Sequence, residues 1–204
     1  MSAVGAGVVT EDSDPDVFGA VLADAVAALE VWGGPHAVFG SLAVGAYVGH
    51  PPAEDVDVLV GDEDVDDAVA ALARAGFRRG ERRDWLRKAH REGVLVDLIT
   101  EVRGGIRLDR ELLSHLRRGM VRPGVEAPIP APEDLVVIEA ASSHPETPEH
   151  WFTAAKLLAR TEIDWPYLAS RARLAPLRVA SLLLYCRSDG VDVPDDILGS
   201  VLPS

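Results

Sequence analysis

The sequence predicts an α+β fold in which a front part of strands and helices precedes a helical C-terminal part. Apolar strands alternate with helical segments up to about residue 125, whereas the segments from Glu133 onward have only helical periodicity. A connector between the two parts is indicated by four prolines, Pro123, Pro128, Pro130 and Pro132. We therefore divide the chain into a flexible N-terminus at 1–13, an α+β domain at 14–125 and a helical region at 126–204 that packs on it.

Apolar periodicity and glycine stops give the individual elements. The front part is expected to contain helices at 14–32, 41–47 and 64–75, strands at 37–39, 56–60 and 94–100, and a charged hairpin over 77–88 that turns at Gly80. The back part is expected to contain helices at 133–142, 148–160, 165–173 and 176–187, then a short last turn at 195–201. Thr147 and Asp164 each stand where a helix cap is expected.

The net charge of the chain is −13, which argues against long-range attraction of nucleic acid because an acidic protein repels phosphate. Positive charge is nevertheless concentrated in one basic block, Arg74–Arg91. This block is interpreted either as a solvated strand face or as a local site for a triphosphate or RNA. The second interpretation keeps RNA among the candidate partners.

The single cysteine, Cys186, lies in an apolar stretch and predicts a buried, unreactive thiol. No apolar run is long enough to cross a bilayer, and the first residues lack the basic and apolar regions of a secretory signal. We therefore expect a cytoplasmic protein without a membrane partner.

Three aspartates on two predicted strands form a candidate metal site. Asp55 and Asp57 are two residues apart, so their side chains share one face of a strand. Asp97 lies in the apolar strand Val94–Ile99, where a carboxylate needs a partner. If the two strands are neighbours, the carboxylates form a site for two magnesium ions. On its own the Asp-x-Asp pattern is a weak signal, because solvated acidic edges are common in an acidic chain.

Gly40 and Ser41 precede a short helix and add a candidate phosphate site. A glycine lets the backbone approach a phosphate closely, and a helix N-terminus offers unpaired N–H groups. The order of these elements is more specific than any one of them: glycine-serine, then Asp-Val-Asp-Val, then a separate strand Val-Leu-Val-Asp-Leu-Ile.

In this order of motifs the sequence resembles the nucleotidyltransferase superfamily with the polymerase-beta-like fold, which has a mixed sheet. It is similar in particular to small bacterial nucleotidyltransferases related to the abortive-infection and toxin-antitoxin type. The likeness continues in three segments of the tail, Ala131–Ile138, His150-Trp151 and Ile163–Ala172. It implies that Gly40 and Ser41 hold a triphosphate, that Asp55 and Asp57 bind Mg²⁺, and that Asp97 serves the second metal and the acceptor hydroxyl. The implied reaction transfers a nucleoside monophosphate from an NTP and releases pyrophosphate.

Two positions depart from the pattern of this family. Glu139 stands about where a lysine commonly reaches the triphosphate, and Phe152-Thr153 lacks an aspartate that is often near the site. Lys88 and Lys156 are candidates to replace the missing lysine. The departures leave a second function open, a catalytically weak or inactive relative that binds nucleotide or a protein partner such as an antitoxin.

Overall fold

The computed structural model describes residues 15–49 and 53–202. The segment 1–13 and the proposed helix-capping Asp14 lie outside these residues. The described helices are α1 (Pro15–Trp32), α2 (Gly40–Val48), α3 (Val65–Arg74), α4 (Arg110–Ser114), α5 (Pro132–Ser142), α6 (Glu149–Arg160), α7 (Trp165–Ala172), α8 (Pro176–Ser188) and α9 (Asp195–Val201). The described strands are β1 (His36–Val38), β2 (Asp55–Val60), β3 (Arg78–Arg83), β4 (Leu86–Arg91), β5 (Val94–Ile99), β6 (Arg117–Arg122) and β7 (Val125–Ile129).

A mixed sheet forms the centre of the front part, as the resemblance implies, and it has five strands. Its strand order is β1-β2-β5-β4-β3. Strands β2 and β5 pair in parallel, and the remaining neighbours pair antiparallel. Helices α1 and α3 pack against each other and against β5. Val56 and Val58 alternate with the two aspartates of β2 and are completely buried, so the aspartates project from the opposite face of the sheet.

The charged hairpin was predicted in the right region, but its predicted turn is wrong. The chain turns at Asp84-Trp85, between β3 and β4, while Gly80 lies inside β3. A Cβ atom at Gly80 would lie 3.1 Å from the Cβ atom of Lys88 on the neighbouring strand. Glycine is therefore used here for close packing next to an irregularity of the ladder between Arg79 and Arg82, and it does not form the turn.

The predicted proline connector is also wrong, because part of it is a second sheet. Strands β6 and β7 form an antiparallel hairpin that turns at Pro123-Gly124, and Gly124 has a φ of 81°. Helix α2 packs on β6, and Tyr47 of α2 donates a hydrogen bond to the carbonyl of Pro130 at 2.9 Å. The proposed division at residue 125 falls at the first residue of β7, and one hydrophobic core continues on both sides of it.

The helical tail follows its predicted order, with bounds that differ by at most one residue. Asp164 caps α7 by accepting a hydrogen bond from the Tyr167 N–H at 3.0 Å, as expected, whereas α6 begins after Pro148 and is not capped by Thr147. Cys186 is buried, as predicted, and burial raises the pKa of its thiol to about 11. None of the helices in the described part of the chain has both the length and the apolar character needed to cross a bilayer.

Candidate active site

Three neighbouring strands place two carboxylates and one ammonium group in a row across the sheet. Asp57 on β2 lies beside Asp97 on the parallel strand β5. Lys88 on the antiparallel strand β4 faces Asp97 from its other side. The Nζ atom of Lys88 donates to Oδ2 of Asp97 at 2.6 Å. The row exists because the side chains of residues in register on adjacent strands project from the same face.

Asp55 completes a carboxylate cluster with Asp57 and Asp97. It precedes Asp57 by two residues on β2 and therefore projects from the same face. One oxygen from each of the three carboxylates lies within 4.8 Å of the other two. The structure thus brings together all three aspartates that the sequence singled out.

Burial and mutual repulsion make the carboxylate cluster unfavourable as three anions. Burial raises the pKa of Asp57 to about 7, and the nearby charges of Asp55 and Asp97 add to this effect. The pKa of Asp55 is also raised, first by burial and then by Asp97. The ammonium group of Lys88 opposes both shifts. A divalent cation would remove the repulsion, because it stabilises the charged form of every carboxylate it touches.

The donor set fits magnesium. All three residues offer carboxylate oxygens, which are the ligands that this hard cation prefers. The Oδ1 atom of Asp97 is buried and has no hydrogen-bond partner among residues 15–49 and 53–202. Such an oxygen is costly unless a cation or donor occupies its free side. Asp55, Asp57 and Asp97 could therefore hold Mg²⁺.

Gly40 lies against the carboxylate cluster at a point where there is no room for a side chain. A Cβ atom at this position would lie 2.4 Å from Oδ2 of Asp57, and Gly40 has a φ of 62°. Glycine is thus required both by the backbone conformation and by the carboxylate. Gly40 begins α2, and Ser41 follows it as a partly buried residue.

A cavity of about 700 Å³ opens beside the cluster. Gly40 and Asp57 line it at one end, and Trp85 of the β3–β4 turn, 43% exposed, lines it as well. Other carboxylates in the lining are Asp62, Asp84, Glu101 and Glu139, and the cations are Arg103, Arg107 and, when protonated, His150. Acidic groups therefore outnumber basic ones in the cavity wall.

Glu139 and His150 form a pair in this wall that the sequence did not reveal. Nδ1 of His150 lies 2.7 Å from Oε2 of Glu139, and the glutamate side chain is only 8% exposed. The hydrogen bond to Glu139 raises the pKa of His150. The two residues lie on different helices and are 11 positions apart, so only the packing of α5 against α6 brings them together.

The other basic candidates divide into two groups. Neither Lys88 nor Lys156 is among the residues that line the cavity, but Lys88 contacts Asp97 of the carboxylate cluster, whereas Lys156 is exposed on α6. Strand β3 of the basic block is exposed along its whole length. Arg82 and Arg87 both pair with Asp66 on α3. Part of the positive charge of the block is thus neutralised locally.

The mixed sheet, the carboxylate cluster and the glycine at the start of α2 together define the nucleotidyltransferase class of fold. Residues 48–187 match the family described as uncharacterised nucleotidyltransferase, and the chain belongs to this family. The matched region contains all three aspartates and Lys88 but begins after Gly40 and Ser41. No curated protein matches the sequence.

Two solved structures of the antibiotic-resistance factor ANT(2'')-Ia are similar in fold. The solution structure has a TM-score of 0.54 at 15% identity and covers 86% of this chain and 94% of that protein. The crystal structure with adenylyl-2''-tobramycin has a TM-score of 0.53 at 16% identity and covers 83% of this chain and 97% of that protein. At such identities the likeness concerns the fold, and function must be argued from the site.

Proposed function

We propose that the protein transfers a nucleoside monophosphate from an NTP to a hydroxyl acceptor in a magnesium-dependent reaction. The observation that carries the proposal is the carboxylate cluster, in which three aspartates have oxygens within 4.8 Å of one another. The cluster lies at a cavity of about 700 Å³, which is within the usual range for small-molecule sites. Family membership supports the same reaction class.

The resemblance to the nucleotidyltransferase superfamily suggests a role for each residue. Asp55 and Asp57 would hold the cation that binds the triphosphate, and Asp97 would hold a second one and orient the acceptor hydroxyl. Bound magnesium supplies charge neutralisation of the phosphates and favours loss of the hydroxyl proton. The acceptor oxygen forms a bond to the α-phosphorus, the bond between the α-phosphorus and the bridging oxygen breaks, and pyrophosphate leaves. The hydroxyl proton passes to Asp97 or to solvent.

The charge of the cavity favours a small acceptor over RNA. Asp62 and Asp84 are exposed carboxylates in its lining, and they would repel a second phosphate chain. The fold relative crystallised with adenylyl-2''-tobramycin binds a small adenylylated molecule, which supports the same acceptor class here. RNA bound along the basic block and a protein acceptor remain the alternatives that the experiment below separates.

A second function, nucleotide or partner binding without turnover, is motivated by Glu139. This residue contributes negative charge near Asp57, where the family pattern has a lysine. Under this second function the partner would be a protein of the antitoxin type. Under either function we propose a cytoplasmic location.

Calorimetric titration with each NTP, with and without Mg²⁺, tests binding, and α-labelled NTP tests transfer. We expect Mg²⁺-dependent binding of the NTP. In a cell extract we expect the label to move from the NTP to a small-molecule product rather than to RNA or protein. Asp57→Asn should abolish both signals, whereas Asp192→Asn, at an exposed position outside the cavity lining, should leave them unchanged. Mg²⁺-dependent binding without transfer of a nucleoside monophosphate from any NTP would favour the second function. Nucleotide binding that survives Asp57→Asn would refute the proposed site.

A further inference from the structure

Lys88 occupies the position of a cation within the carboxylate cluster. Its ammonium group is 2.6 Å from Oδ2 of Asp97, with side-chain exposures of 25% and 12%. The contact is fixed by the register of β4 on β5, which pairs Lys88 with Asp97 directly. At such low exposure a charge pair is screened weakly by solvent.

The charges of the cluster show what Lys88 does there. Asp55, Asp57 and Asp97 bring three carboxylates together, and Lys88 is the cation that contacts one of them in the described part of the chain. The other oxygen of Asp97 remains without a partner. Lys88 therefore neutralises the cluster only in part, and a divalent cation that uses Asp97 must compete with it.

The triphosphate of a bound nucleotide would be a second anion that competes for the ammonium group of Lys88. Glu139 brings an acidic side chain to the cavity lining. Both lysines of the chain lie outside the lining, but Lys88 contacts the carboxylate cluster, whereas Lys156 is exposed on α6. Arg107 lines the cavity but is paired with Glu101, and Arg103 lines it with an exposed side chain. Lys88 has a flexible four-carbon stem and three donors that can rotate, so a change of partner requires no movement of the strand.

We propose that Lys88 is an exchangeable counterion. It pairs with Asp97 in the protein without substrate, and it moves to a phosphate oxygen when a nucleotide and its metal enter. The exchange releases Oδ2 of Asp97 for a cation or for the acceptor hydroxyl. This inference rests on the proposed function, since it assigns a positioning role to one residue of that site.

Exchange predicts opposite effects of one substitution on two ligands. Lys88→Met keeps the length of the side chain and removes its charge. Without nucleotide, this variant should bind Mn²⁺ about tenfold more tightly, because a competing charge–charge contact is gone. With saturating Mg²⁺, it should bind a non-hydrolysable NTP analogue about tenfold more weakly, because one phosphate contact is gone. A residue with a merely structural role would weaken both ligands or neither.

The experiment measures Mn²⁺ affinity by electron paramagnetic resonance and analogue affinity by calorimetry. Lys156→Met is the matched control and should change neither value, while Lys88→Arg should restore most of the analogue affinity. Circular dichroism verifies that each variant is folded, and a misfolded Lys88→Met is replaced by Lys88→Gln. Equal or weaker Mn²⁺ binding by the uncharged variant would overturn the exchange alone. Absence of Mg²⁺-dependent analogue binding by the parent protein would overturn the proposed function as well.

Discussion

Replacing Asp57 by asparagine should stabilise the metal-free protein at pH 8, although it removes a proposed ligand. The reason lies in the carboxylate cluster, where burial and two neighbouring carboxylates raise the pKa of Asp57 from 3.8 to about 7. A carboxyl group with a raised pKa resists ionisation, and above that pKa the folded state bears the cost. Asparagine has nearly the same shape and no charge to accommodate.

The size of the effect follows from the shift. Each pKa unit corresponds to about 1.4 kcal/mol, so the change from 3.8 to about 7 sets an upper limit of about 4 kcal/mol. Asp57 is only partly buried, and solvent screens part of its interaction. We therefore expect asparagine to raise the free energy of unfolding by about 2 kcal/mol.

The direction of the pKa shift determines how the stability difference between Asp57→Asn and the parent protein depends on pH. Because the folded pKa of Asp57 is raised, its contribution to stability is fully present below 3.8 and is lost as the pH rises through about 7. The advantage of the Asp57→Asn variant should thus be absent at acidic pH, grow between these two values and become constant above them.

Urea unfolding in the presence of a chelator measures the difference, at a series of pH values between 4 and 8 for the parent and each variant. Asp192→Asn at an exposed position is the matched control and should show no such pH dependence. Added Mg²⁺ should stabilise the parent protein and not Asp57→Asn, which would reduce or reverse the order of stability. An asparagine variant that is less stable than the parent at pH 8 without metal would refute the reasoning.

Three further predictions concern other parts of the structure. Arg171→Ala should lower the free energy of unfolding by about 3–5 kcal/mol in urea, because the buried carboxylate of Asp134 loses the guanidinium group that lies 2.7 Å away; a loss below about 1 kcal/mol would contradict this. Gly40→Ala should weaken Mn²⁺ binding about tenfold or more, because its Cβ atom would displace Oδ2 of Asp57, a proposed ligand atom. Gly49 also has a positive φ, but no described atom lies within 4 Å of a Cβ atom there, so Gly49→Ala should bind Mn²⁺ normally. NMR titration should give His150 a pKa above 6.5, and this pKa should fall in the Glu139→Gln variant. The stabilisation from the pair should be full below pH 6.5 and should fade as the pH rises through the raised pKa. A His150 titration that is unchanged in the variant would exclude the pairing.

The two strands and the three candidate aspartates can be predicted from the sequence because they depend on local pattern, whereas the pairing of β2 with β5 is a tertiary feature that can be stated from the sequence only as a condition. Two-residue alternation places Asp55 and Asp57 on one face, and an apolar strand with a single carboxylate makes Asp97 conspicuous. The helices of the tail could also be predicted, from the spacing of their apolar residues and from the prolines and glycines at their ends.

The missed features depend on competing uses of the same residue types. Pro123-Gly124 is a tight turn between two short strands, but neighbouring prolines made the region resemble a connector. Gly80 predicts a turn in the sequence, whereas its close approach to Lys88 is a tertiary contact that no local pattern indicates. The pairing of Glu139 with His150 depends on how α5 and α6 pack, and no local rule encodes that contact.

Helix α5 has a consequence for how the protein unfolds. Its three buried carboxylates each have a partner elsewhere in the tail: Glu133 accepts from the Asp164 N–H, Asp134 contacts Arg171, and Glu139 contacts His150. Detaching α6 and α7 while α5 stays folded would break all three contacts at once. Each broken contact raises the free energy of such a partly unfolded state. We therefore expect α5, α6 and α7 to unfold together as one cooperative unit, with no stable intermediate in which α5 stays folded without α6 and α7.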